Sequence, residues 1–200
     1  MSFIKNIRIY LGKRSLNNEL RKMSRTKIPV NLTNANSIGI IYLLSSEEEY
    51  NRVSLFTKNM QEQGKKVTVI GLYHYNRIPV FYIPKLSYDL LLPRDVDFFF
   101  KPSAPFVERF IESDFDMLID LSSPENFTLH YIATLSKAHF KIGRKIDDRP
   151  LPYDLMINTG SEVQSQELID QIVHYTANLE FKIPNETNNI KSDQSDSHEA

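Results

Sequence analysis

Two hundred residues with 41% hydrophobic content suffice for one domain with a real core plus appendages. A net charge of −1 exerts no global pull towards nucleic acid, so any such pull must be local. The lack of cysteine excludes disulfides, thiolate zinc sites and a cysteine nucleophile, and it fits a reducing compartment. The N-terminal stretch has no secretory h-region, and no apolar run approaches the ~20 residues of a membrane span. The expected address is the cytoplasm, with the inner membrane face as a peripheral site.

Residues 1–27 read as a basic helical arm. Lys5, Arg8, Lys13, Arg14, Arg21, Lys22, Arg25 and Lys27 face a single acid, Glu19, for a net charge of +7. At ~100° per residue, Phe3, Ile4, Ile7, Tyr10 and Leu11 cluster on one side, and Leu16, Leu20 and Met23 lie nearly opposite. The switch at residues 12–15 predicts two short helices or one kinked helix. One half would dock on the protein's own domain, leaving the other for a partner or a lipid surface.

Pro29 ends the arm, and residues 30–36 link into the domain. Residues 37–44 (SIGIIYLL) predict the first core strand. Ser45 and Glu48 have capping-box spacing, opening a helix to about Gln63. Tyr50, Val53, Phe56 and Met60 would face inward, with Glu48 and Arg52 paired outside. Gly64 closes that helix, and residues 66–72 (KVTVIGL) predict the second strand. Residues 73–105 are rich in aromatics and prolines. They predict an edge strand at 78–83, where Pro79 forbids a central position, and a short strand at 97–101. A helix from a Ser103 cap through Ile111 would turn Phe106, Phe110 and Ile111 inward.

The stretch 117–126 (MLIDLSSPEN) organises the rest. Met117, Leu118, Ile119 and Leu121 form an apolar run broken only by Asp120, which suits a strand covered on both faces. Ser122 or Ser123 offers a helix cap, Pro124 a first helical residue, and Glu125 a charge complementing the helix dipole. A buried helix over 126–137 and a strand at 139–143 (HFKIG) complete a right-handed βαβ unit. A charged loop at 144–152, a strand at 153–158 and a helix at 162–181 follow. That helix would bury Leu168, Ile169, Ile172, Tyr175 and Leu179. The expected fold is α/β, a Rossmann-like three-layer sandwich with a mostly parallel sheet, preceded by the basic helical arm. The divisions are 1–27 for the arm, 28–183 for the domain and 184–200 for a polar tail too poor in hydrophobics to order. The first strand should pair with the second on one side and with the Leu118 strand on the other.

Catalytic signatures are sparse. The first strand is followed by Leu43-Leu44-Ser45-Ser46, without the glycines of a dinucleotide fingerprint. Neither a phosphate loop nor a nucleophile elbow occurs. His74, His130, His139, His174 and His198 are in no metal-ligand spacing. No catalytic residue, metal or cofactor is assigned. Open α/β sheets bind ligands beyond the carboxyl ends of their strands. Asp120, Ser122, Ser123 and Asn126 belong to that edge, with Arg144 in a loop that could hold an anion beside them. Asp120 would serve as a general base or a hydroxyl-binding group, or else accept hydrogen bonds from a neighbouring loop. The serines and Asn126 would otherwise be caps. Tyr73, Tyr75, Phe81 and Tyr82 read as core or edge cover.

Over residues 37–159, the order of elements and the stretch IDLSSPENFTLHYIATLSKAHFKIG resemble the N-terminal half of heptosyltransferase-like glycosyltransferases. The shared residues are Ile119-Asp120-Leu121 and Ile142-Gly143. The resemblance implies a Rossmann-like half related to sugar-nucleotide binders. That family's second half, with most of its donor site, has no counterpart here, and no catalytic residue carries over. The chain also looks like a small uncharacterised family from Bacteroidota, with a basic helical arm and SIGI, GKKV, DLLIDLS-type and FKIG strands.

The expected function is that of a non-enzymatic cytoplasmic interaction protein. Its arm, through Lys5, Arg8, Lys13, Arg14, Arg21, Lys22 and Arg25, would contact a macromolecule: RNA, the ribosome or the inner membrane face. The alternative is a small-ligand domain for a sugar nucleotide or sugar phosphate, a degenerate relative of half a glycosyltransferase.

Overall fold

The computed structural model describes residues 2–123, 125–145, 151–158, 165–177 and 179. Branched aliphatic runs form β1 (Ser37–Leu43) and β2 (Lys66–Leu72). They are joined by β3 (Tyr88–Leu91), β4 (Met117–Asp120), β5 (Phe140–Lys145) and β6 (Leu155–Asn158). All pairings are parallel, in the order β3-β2-β1-β4-β5-β6, with β1 between β2 and β4 as expected.

A parallel sheet must be covered on both faces. The helices are α1 (Ser2–Leu20), α2 (Glu47–Glu62), α3 (Pro105–Glu112), α4 (Phe127–Leu135) and α5 (Ser165–Ala177). Val53, Phe56 and Met60 of α2, and Leu168 and Ile172 of α5, pack with Ile38, Ile40, Ile119 and Ile142. On the other face, Val107 and Phe110 of α3 and Leu129 and Ile132 of α4 pack with Ile41, Ile70 and Leu118. The chain is an α/β protein consistent with a Rossmann-like sandwich.

Of the two forms expected for the basic arm, one helix forms rather than two; it stops at Leu20 instead of running to residue 27, and its second apolar set is the one that docks. Leu16 is buried against Phe127, Tyr131 and Leu135 of α4, with Met23 beside them. Leu20, expected with them, stays 40% exposed. Gly12 permits the approach: a Cβ there would lie 2.5 Å from the Phe99 carbonyl oxygen and 2.8 Å from the Phe127 ring. Glu19, the one acid of the arm, accepts from Lys101 Nζ and Tyr131 Oη, each at 2.5 Å. Burial opposes ionisation of Glu19, but these bonds prevail and hold its pKa below the usual value. Beyond the helix, Arg25 bonds both carboxylate oxygens of Asp154, at 2.6 and 2.5 Å.

Several local expectations shift. Ser46, not Ser45, caps α2, its Oγ accepting from Glu49 N. Arg52 pairs with Glu49 instead of Glu48 because Glu49 is the partly buried partner, also bonded by Ser165. No strand forms at 78–83. Pro79 and Pro84 remove donors there, and Ile78, Val80 and Ile83 face solvent. The edge strand is β3 instead, which sequence periodicity had not marked. Residues 97–101 form a tight turn, not a strand. Asp97 Oδ1 accepts from Phe99 N and Lys101 N, and Phe100 adopts φ 61°. Ala104 precedes α3 with Pro105 at its first position, while Ser103 donates to the Asp95 carbonyl. Asn126 caps α4, in place of Ser122 or Ser123. Tyr175 is 51% exposed rather than buried. The tail at 184–200 and most of the charged loop lie outside the described residues.

Candidate functional site

The candidate residues fall in two places: the carboxyl edge of the sheet and the basic arm with α1. At the edge, β4 ends on Asp120, which is 1% exposed. Its Oδ1 accepts from Ser122 N at 2.8 Å and Ser122 Oγ at 2.6 Å, and its Oδ2 accepts from Tyr153 Oη at 2.6 Å. Burial raises the Asp120 pKa, against the opposing effect of these bonds and of the nearby Arg144 charge. Tyr153 reaches across because Gly143 has no side chain. A Cβ there would lie 2.5 Å from the tyrosine ring. Burial and the adjacent carboxylate raise the Tyr153 pKa well above its ordinary value.

Arg144, expected in the charged loop, is instead a residue of β5 and only 7% exposed, because the strand runs on through Lys145 to pair with β6. Burial lowers its pKa, while Glu49, Asp120 and Glu167 favour its charge. Glu49 Oε2 accepts from Ser165 Oγ at 2.6 Å and from Arg52 Nη1 at 3.1 Å. The structure thus brings Asp120, Ser122 and Arg144 into one buried polar group. Ser123 and Asn126 stand apart as turn and cap residues. Ser123 Oγ accepts from Glu125 N, and Asn126 Oδ1 accepts from Leu129 N at 3.1 Å. Sequence reasoning missed Tyr153, Glu49 and Ser165. The glycine of FKIG was the one available signal, since an interior strand glycine marks close approach. Chemically, both Asp120 oxygens are occupied by the chain itself, an arrangement suited to fastening β4 to the segment before β6.

Asn126 does line an open pocket of about 360 Å³, at the carboxyl end of β2 and the start of α4. Lys5, Arg8, Tyr73, His74, Phe100 and Glu125 share its wall. Among the described residues, no cluster of histidine and acid side chains could hold a metal ion.

Of the eight basic residues of the arm, the seven expected to make the contact divide into two sets. Arg8 is drawn inward: its Nε donates to the Phe98 carbonyl at 2.5 Å, and its guanidinium lies 4.1 Å from the Phe100 ring centroid. Arg25 is tied to Asp154. Lys5, Lys13, Arg14, Arg21 and Lys22 remain exposed. So do Phe3 at 77%, Ile4 at 62% and Tyr10 at 66% in the first three turns. Ile7 and Leu11 are also exposed, as are Phe98 and Phe99 in the loop beside Arg8 and Gly12. None of the described helices is long and apolar enough to cross a membrane.

A parallel α/β body with a strapped-on basic helix, and a carboxyl-edge aspartate whose oxygens the chain itself occupies, defines the class. Residues 8–179 match the model of a family of unknown function (DUF6913), and the chain belongs to that family. No curated protein matches it.

Proposed function

We propose that this protein is a non-enzymatic interaction protein whose α1 docks on a negatively charged macromolecular surface. The observation that carries this reading is the one-sided anchoring of α1. Gly12, Leu16 and Glu19 hold it to α4, while Phe3, Ile4, Ile7, Tyr10 and Leu11 stay exposed, as do Lys13 and Arg14 on the helix and Arg21 and Lys22 just beyond it. A solvated helix needs no such ridge of Phe3, Ile4, Ile7 and Tyr10, and contiguous exposed apolar surface marks a contact site. The occupied oxygens of Asp120 support a structural role for that residue over general-base catalysis. The test is fractionation of native lysate at low salt followed by a high-salt wash. The wild-type protein should sediment with a particulate fraction and leave it at high salt. A Lys13→Glu/Arg14→Glu variant should stay soluble at both salts. A wild-type chain soluble at both salts would end this reading.

The open pocket beside Asn126 favours a second reading, binding of a small ligand at the carboxyl edge. A sugar nucleotide or sugar phosphate is the class suggested by the likeness of residues 37–159 to half a glycosyltransferase. A thermal-shift screen with those compounds tests it. Ligand at a hundred times Kd should add ~2.7 kcal/mol of stability, and no shift at millimolar concentration would dismiss it.

A further inference from the structure

We infer that the surface α1 recognises is an anionic lipid bilayer, with its first three turns inserted among the headgroups; this rests on the proposed docking role of α1. The argument is how side chains are arranged around and along one helix. Taking ~100° per residue, Phe3, Ile4, Ile7, Tyr10 and Leu11 fall in an arc of roughly 120°. The anchored residues Arg8, Gly12, Leu16 and Glu19 fall on the other side. Continuing the outward arc towards the C-terminus, the apolar residues give way to Arg14 and Asn18, and Arg21 stands in the turn just beyond the helix. This face is therefore apolar for three turns and then polar, with cations at Arg14 and just past the helix end. A bilayer interface has the same sequence of environments, acyl boundary first and phosphates above it. Charge complementarity requires the phosphates to belong to anionic lipid, each nearby lysine or arginine contributing about 1 kcal/mol.

RNA explains half of this face. Its phosphates would attract Arg14, Arg21, Lys13 and Lys22, but they give no use to the aliphatic side chains of Ile4, Ile7 and Leu11. Single-stranded RNA rewards aromatic platforms, which stack on bases, and not branched aliphatics. Phe98 at 60% and Phe99 at 38% exposure adjoin the same helix and extend the apolar ground available to a lipid interface. Because Leu16 and Gly12 already fix α1 on the body, insertion needs no folding of the helix, and the ordering cost of binding is small.

The test uses the full chain with vesicles of phosphatidylcholine, vesicles of phosphatidylcholine mixed with phosphatidylglycerol, and polyuridylic acid. The protein contains no tryptophan, so Phe3→Trp supplies a single reporter at an exposed site. The expected results are flotation with phosphatidylglycerol vesicles, a blue shift of the indole emission, and loss of both on removing the anionic lipid. An Ile4→Ser/Ile7→Ser variant should lose vesicle binding by tenfold or more. A Lys13→Glu/Arg14→Glu variant should lose it by a similar factor, about fivefold for each cation at that contribution. Unchanged thermal melts certify that these surface variants fold. If Ile4→Ser/Ile7→Ser binds vesicles like the wild type, or the indole emission does not move, insertion is wrong. If polyuridylic acid binds wild type and the Ile4→Ser/Ile7→Ser variant equally while vesicles bind neither, the partner is nucleic acid. The docking role then stands while the lipid assignment falls. If the lysate fractionation gives a salt-insensitive soluble protein, the docking role itself fails.

Discussion

Asp120 is held by three hydrogen bonds, and the one from Tyr153 comes from 33 residues away. Removing that donor leaves a buried carboxyl oxygen with an unmet acceptor, a loss of about 1–3 kcal/mol. Tyr153→Phe should therefore lower the urea midpoint by that free energy. A neutral result would mean that water or another group meets Oδ2. Lys141 provides a second test. Its Nζ, 1% exposed, donates to the carbonyls of Ala133 and Thr134 at 2.8 and 3.0 Å, where α4 runs out of backbone partners. Burial, aided by the Arg25 charge, lowers its pKa to about 7. Between pH 7 and the unfolded value near 10.5, the unfolded chain binds a proton that the folded chain does not. Stability contributed by this group must then rise with pH above 7, by up to about 1.4 kcal/mol per unit. Denaturation at pH 7 and pH 9 should display the rise, and Lys141→Met should abolish it. At this scale the sequence pointed to Asp120, an acid interrupting an apolar run. It could not point to Tyr153, because their meeting depends on how β5 and β6 align. Lys141 likewise carries no local signal in HFKIG, since its burial follows from the covering of the sheet on both faces.

Elements were legible where they carry a strong period and obscure where turns decide. The residues of β1, β2 and β4 were read almost to the residue, since a continuous branched run between polar breaks has few other fates. Tyr88–Leu91 was missed because it holds four residues, one of them Asp89, and becomes a strand only by pairing with β2. The run at 78–83 has the better composition and no partner for its proline positions. The docked side of α1 was legible as a second apolar stripe, but Gly12 as its seat was not, because that depends on Phe99 and Phe127. The seating makes a clear prediction. Gly12→Val places a branched side chain where even a Cβ would come 2.5 Å from a backbone oxygen. The helix must lift, and the Leu16 contact with Phe127, Tyr131 and Leu135 loosens with it. Amide exchange in α1 should then accelerate while exchange in β1 and β4 stays at its wild-type rate. Equal acceleration in all three would mean that α1 belongs to the cooperative core.

The whole molecule places α1 outside both main cores. Neither the cluster under α2 and α5 nor that under α3 and α4 includes a residue of α1, and Leu16 belongs to a third, small cluster with α4. Strand order, parallel pairing and the two helical layers therefore stand without it. A chain lacking residues 2–20 should still unfold cooperatively in urea, with strand content by circular dichroism intact. In that chain Phe127, Tyr131 and Leu135 lose their cover. Loss of cooperative unfolding would instead make α1 an integral part of the fold. This outcome matters for every functional experiment on the arm. Deletion removes the exposed cations and the outward apolar ridge, but it also bares a new patch on α4 that can stick to membranes or proteins unaided. A truncated chain that still sediments would be uninformative for that reason. Substitutions at the exposed positions Ile4, Ile7, Lys13 and Arg14 change the contact surface while Gly12, Leu16 and Glu19 keep the helix in its seat.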